Sequence, residues 1–187
     1  MMTATSTLVV IAVIAVIILL WGIKIYNGLV QLSKLKDEAW SGVDVQLRRR
    51  FDLVPNLIET VKDRAAHEQD ALRRVAEARD AISRAQTQGA RIDAENELTS
   101  TLRSLFATAA AHPELKSDEN FGQLQGELSA LENDLQLARR YYNGTVMDFN
   151  NAIQTFPSAL VSHGLGFRKA PLYSADEGPN EPVQAKF

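Results

Sequence analysis

Residues Phe121–Ala152 read FGQLQGELSALENDLQLARRYYNGTVMDFNNA, and the reading of this stretch decides the fold. Phe121, Leu124, Leu128, Leu131, Leu135, Ala138, Tyr142, Thr145, Phe149 and Ala152 follow one another in alternating steps of three and four. A turn of about 3.6 residues brings all such positions to one side, so the spacing predicts one long helix with an apolar seam. At 1.5 Å per residue it runs roughly 55 Å. Ser117 offers an N-cap, with Asp118 and Glu119 in the first turn where the helix dipole favours acids. Phe156-Pro157 ends the run.

Three more runs precede it. Leu29, Leu32, Leu35, Ala39, Val43, Leu47 and Phe51 recur at helical spacing, and Pro55 is expected to interrupt them and open a new or kinked helix. The next run carries Leu57, Ile58, Val61, Ala65, Leu72, Val75, Arg79 and Ile82, and Gly89 reads as its stop. The third places Ile92, Glu95, Leu98, Leu102, Leu105, Phe106 and Ala109 on one face and closes at Pro113. Short connections force neighbouring helices to pair, so the sequence predicts an all-α chain whose residues 27–156 form a long antiparallel up-and-down four-helix bundle. Residues 157–187, rich in Gly and Pro, read as an extended C-terminal tail.

Before the bundle, Leu8–Ile23 is uncharged and dominated by Ile, Val and Leu. With its flanks it supplies a transmembrane anchor over residues 8–26, long enough for ~30 Å of hydrocarbon. A cleaved signal peptide would carry basic residues before the apolar run and a small-x-small site after it, and neither is present. Trp21 and Tyr26 suit the headgroup level. Lys24, Lys34 and Lys36 all follow the span, which predicts a short N-terminus (1–7) outside and the bundle in the cytoplasm, as in a single-pass inner-membrane protein.

Composition narrows the function classes. A net charge of −3 does not suggest a nucleic-acid partner, and the absence of cysteine excludes disulfides, thiolate nucleophiles and sulfur metal sites. His67-Glu68 lacks the second His of a zinc motif, since position 71 is Ala. No Glu-x-x-His pair, phosphate loop or nucleophile elbow occurs. The chain is accordingly read as a non-enzyme, with no catalytic, cofactor or metal residues assigned.

The stretch from Tyr26-Asn27-Gly28-Leu29-Val30 through Glu38-Ala39-Trp40-Ser41-Gly42-Val43-Asp44 to Asp52-Leu53-Val54-Pro55-Asn56-Leu57-Ile58-Glu59 resembles the opening signature of the LemA family. Pro113-Glu114-Leu115-Lys116 with Asn120-Phe121 and Leu124-Gln125-Gly126-Glu127-Leu128 is similar to its second block. The third is Glu132-Asn133 with Ala138-Arg139-Arg140-Tyr141-Tyr142-Asn143, then Phe149-Asn150 and Phe156-Pro157. The tail follows the same pattern at Gly166-Phe167 and Pro182-Val183. The resemblance implies an N-terminal membrane helix and an up-and-down helical bundle, and it implies no common biochemical activity.

Three sets of residues are singled out. Arg48, Arg49 and Arg50 form the densest basic run; Asp44–Arg48 and Gln46–Arg50 spacing predicts intrahelical pairing, with a partner-binding patch as the alternative. Gly122 and Gly126 lie off the apolar seam and are either merely tolerated there or suit close approach of another backbone, the tail or a second subunit. Asn56, Glu59, Asn133, Arg139, Arg140 and Asn143 match motif positions of the resemblance and are read as polar groups that fix helix register. These features lead to a membrane-anchored scaffold or adaptor, held to the lipid bilayer by its N-terminus, with a protein partner or a homo-oligomer in prospect. The alternative is a sensor bundle that binds a small ligand and relays the signal.

Overall fold

The computed structural model describes residues 2–64 and 69–173, with side chains for all of these except 2–5, 64 and 114. Six helices appear among them: α1 (Met2–Arg64), α2 (Gln69–Arg84), α3 (Gln88–Ala109), the single turn α4 (Pro113–Lys116), α5 (Glu119–Gln154) and α6 (Ser158–Gly164). The described regular structure is entirely helical, as the sequence predicts. Ala65, the His67-Glu68 pair and the tail beyond Tyr173 lie outside the described residues. Two compact units divide the chain, one of residues 1–41 with 141–172, the other of residues 42–140 with 173–187.

In the second unit the apolar faces of α1, α2, α3 and α5 meet in one core. Val54, Leu57 and Val61 from α1 pack with Leu72, Val75 and Ile82 from α2, Leu98, Leu102 and Leu105 from α3, and Phe121 and Leu128 from α5. Leu115, on the α4 turn, closes this core at 0% exposure. Neighbouring helices run in opposite directions. Arg48 and Phe51 share a groove with Ser83 and Ile82, whereas Pro55 and Lys62, further along α1, face Asp80 and Ala76, earlier in α2. Likewise Thr99 of α3 lies by Glu132 of α5, while Phe106 stacks edge-on to Phe121 at 6.0 Å.

Pro55 does not end the first bundle helix. It lies within α1, which continues to Arg64. A proline lacks the N–H that would bond the carbonyl four residues back, here that of Phe51. Arg79 of α2 takes over this acceptor: its Nε donates to Phe51 O at 3.4 Å and its guanidinium lies 3.9 Å from the Phe51 ring centre. The orphaned carbonyl is satisfied from a neighbouring helix, so α1 runs through Pro55 to Arg64.

Three other boundaries differ from the sequence reading. Gly89 is not a stop: α2 ends at Arg84, and Gly89 falls in the first turn of α3, where Thr87 accepts from the Ala90 amide at 3.1 Å. A capping hydroxyl outweighs the glycine because it satisfies an otherwise orphaned donor. Asp118, not Ser117, caps α5, accepting from the Phe121 amide at 3.0 Å. Nor is the tail wholly extended, since α6 begins immediately after Pro157.

In the first unit α1 carries a stretch long and apolar enough to cross a membrane, and none of that window is buried. Beyond it, Leu29 packs with Phe149 and Ile153 of α5, and Ile25, Leu32, Val161, Phe167 and Ala170 surround them. Trp40 meets Tyr142 at 5.2 Å between ring centres, and Lys36 Nζ lies 5.1 Å from the centre of the Phe149 ring. The Ser162 hydroxyl donates to Ile153 O at 2.8 Å and ties α6 to the end of α5. Gly166, at φ +77°, lets the Phe167 amide reach back to Ser162 O at 3.1 Å. This is the left-handed helix ending for which glycine is the ordinary residue. Past it, Asn150 holds the chain at both polar atoms: Nδ2 donates to Ala170 O and Oδ1 accepts from the Ala170 amide, each at 2.9 Å. Tyr142 donates to Pro171 O at 2.8 Å.

Candidate functional site

The most elaborate side-chain chemistry lies inside the second unit. Arg50 is 2% exposed and Glu95 is fully buried. The Arg50 Nη2 donates both to the Glu95 carboxylate and, at 3.0 Å, to the Glu95 backbone carbonyl. Its Nη1 donates to Thr99 Oγ1 at 2.7 Å and to Glu132 at 3.3 Å. Arg139 donates to the other oxygen of Glu132 at 3.3 Å and to the Tyr173 hydroxyl at 3.2 Å, with its guanidinium 4.4 Å from the Tyr173 ring centre. Two arginines are thus balanced by two carboxylates, drawn from α1, α3 and α5.

The burial has an electrostatic cost. Desolvation pushes the Glu95 carboxyl above its ordinary value, and the opposing pull of Arg50, then of Arg91 and Arg139, does not cancel it. Tyr173 is raised as well, again chiefly by burial. Glu95 Oε1, Arg50 Nε and Arg139 Nε are buried without a hydrogen-bond partner among the described residues. Beside the cluster a groove of about 350 Å³ is lined by Arg50, Thr99, Arg103, Glu132 and Asn133 over Leu102, Phe106 and Leu128. The arrangement can hold register and offer a mixed-charge rim. Among the described residues no three His, Asp or Glu side chains converge as a metal ion would require.

The sequence model of the LemA family matches residues 39–187. The chain belongs to the LemA family. None of the curated proteins compared with it matches.

On this LemA-family chain the arginine run does not act as one patch. Successive residues point about 100° apart around a helix. Arg48 is exposed and pairs with Asp44 at 2.8 Å, as its spacing predicts, while Asp44 also meets Arg91 of α3 at 2.6 Å. Arg49 faces a groove that it shares with Asp52 and Asp134. Arg50 is the correction: it turns inward to α3 and α5 and is neither surface nor paired with Gln46.

The register-fixing set divides too. Arg139 is buried in the cluster and Asn143 is half-buried, whereas Asn56, Glu59, Asn133 and Arg140 are exposed and off the seam. Arg140 donates back to Gln136 O of its own helix at 3.4 Å. Gly122 and Gly126 face open space: a Cβ built on either would meet nothing within 4 Å among the described residues, so no described part of the tail packs there. The sequence reading places Glu95 on an apolar face without assigning it a role. A carboxylate between Ile92 and Leu98 is the signal that could have found the cluster, because a buried charge demands a partner.

Proposed function

We propose that this LemA-family chain is a membrane-anchored, non-enzymatic adaptor whose α5 helix receives a protein partner or a second copy of the chain. The observation that carries the reading is the outer side of α5 in the second unit. Gly122, Gly126, Ala130 and Leu137 are all exposed there, Leu137 at 60%. They fall within about 80° of one another around the helix. Two glycines in a helix interior each cost about 1 kcal/mol relative to Ala, and close backbone approach by another helix would offset that cost. Lys24, Lys34 and Lys36 support an orientation with this unit in the cytoplasm.

Crosslinking of the full-length protein in native membranes tests the adaptor. Gly122→Leu with Gly126→Leu, and separately Leu137→Glu, should abolish crosslinked species while circular dichroism keeps its helical signal. Identical crosslinks for wild type and both variants would refute the docking face. A second reading, a ligand-sensing bundle, draws on the mixed-charge groove beside Arg50 and Arg103. It requires a small molecule that raises the melting temperature of the wild type but not of Arg103→Ala.

A further inference from the structure

Three large apolar side chains project from the segment that follows α5: Phe156 is 76% exposed, Leu160 70% and Leu165 57%. Their neighbours point the other way. Val161 packs against the Leu29–Phe149–Ile153 core and Ser162 is buried on the Ile153 carbonyl. The uncovered face of α6 is therefore apolar at Leu160 and is continued by Phe156 before the helix and Leu165 after it.

The position of this face along α1 identifies what covers it. Phe167 lies 6.3 Å from Tyr26 between ring centres, and Ile25 belongs to the same packed group as Val161 and Phe167. Tyr26 stands three residues past Ile23, where the apolar run ends, a rise of about 4.5 Å. The polar headgroup layer on each side of a bilayer's hydrocarbon is about 5–8 Å deep. With α1 across the membrane, α6 and the turn after it fall in that layer. Exposed Lys24, Arg168 and Lys169 accompany them. Large apolar side chains set among basic ones are the combination by which peripheral segments hold an anionic lipid surface.

We propose that Phe156, Leu160 and Leu165 insert into the headgroup–acyl boundary of a phospholipid bilayer, with Arg168 and Lys169 against lipid phosphates. This gives the chain a second membrane contact besides α1, and it rests on the reading of α1 as a membrane span. Interfacial anchors set the tilt and rotation of a spanning helix, so this contact would hold the first unit in a defined attitude on the bilayer.

The chain contains no cysteine, so single cysteines can carry an environment-sensitive fluorophore without background. Full-length Leu160→Cys, Phe156→Cys, Ile17→Cys and Met147→Cys are labelled and reconstituted into phosphatidylcholine–phosphatidylglycerol vesicles. Nitroxide lipids quench at shallow or deep positions. Labels at Leu160 and Phe156 should emit to the blue and be quenched most by shallow nitroxides. The label at Ile17 should be quenched most by deep ones. The label at Met147, exposed two residues before Phe149, should emit as in water and escape both. If the Ile17 label is quenched at depth while the Leu160 and Phe156 labels behave like Met147, the interfacial contact is refuted and the span survives. Blue emission at Leu160 and Phe156 without quenching by either lipid would mean that protein covers the face, which also overturns the proposal. An unquenched Ile17 label would remove the span and the interfacial contact together.

Discussion

The two units differ in what joins their helices beside apolar packing. In residues 42–140 with Tyr173, charge ties the helices beside their apolar core: Arg50 pairs with Glu95 and Glu132, and Arg139 with Glu132. In residues 1–41 with 141–172, the joints are aromatic rings, an apolar contact around Leu29, Phe149 and Ile153, and the amide pair between Asn150 and Ala170. Neutral joints tolerate loss piecemeal, because each removes only its own contact area or hydrogen bonds. A buried ion pair does not, since removing one partner leaves the other charged and dry. The charged unit should fail abruptly and the neutral one gradually.

The largest expected effect is therefore at Glu95. Glu95→Ala leaves Arg50 without its buried partner and should destabilise the full-length protein by about 3–5 kcal/mol in denaturant titration. Arg50→Leu with Glu95→Leu should recover most of this, because no uncompensated charge remains. Equal losses for the single and double variants would show that charge is not what joins these helices. In the neutral unit, Asn150→Ala removes two hydrogen bonds to Ala170 and should cost about 1–3 kcal/mol. Its signature is faster amide exchange at Ala170, with the Arg50 cluster undisturbed. Unchanged exchange there would mean that the segment after α6 is held by other contacts.

A subtler test uses pH. Because the folded Glu95 carboxyl titrates above its ordinary value of 4.5, the folded chain retains a proton that the unfolded chain has released. That contribution to stability is complete below about pH 4.5 and is lost as pH rises through the shifted value. Glu95→Gln cannot titrate, so wild type should lose stability relative to this variant as pH rises from 4.5. A constant difference between the two would contradict the shift. The smallest effect is at Arg48, where Arg48→Ala removes an exposed pair with Asp44 and should cost only about 0.3–0.5 kcal/mol.

The seam of α5 is legible in the sequence because helical periodicity is a local signal. All ten positions from Phe121 to Ala152 are buried or half-buried. The inward turn of Arg50 is not legible in the same way: its partner Glu95 is 45 residues distant, and three consecutive arginines look alike until the helix has a neighbour. Pro55 misleads for a related reason, since only the fold brings Arg79 to the carbonyl that the proline strands. Asn56, Glu59, Asn133 and Arg140 show the opposite error. Their match to family motifs suggests a structural role, but their angles around the helices carry them to the surface.

Tyr173 adds a constraint of timing. The second unit takes residues 42–140 and then Tyr173, and between them the chain must lay down all of 141–172, which belongs to the first unit. At roughly 5–20 residues per second, a ribosome needs some 2–7 s to pass from Arg139 to the tyrosine that stacks on it. Through that interval the Arg139 guanidinium lacks the ring and the hydroxyl that it meets in the folded chain. Each unit is thus completed by a segment made after part of the other, and no single cut in the chain releases either one whole.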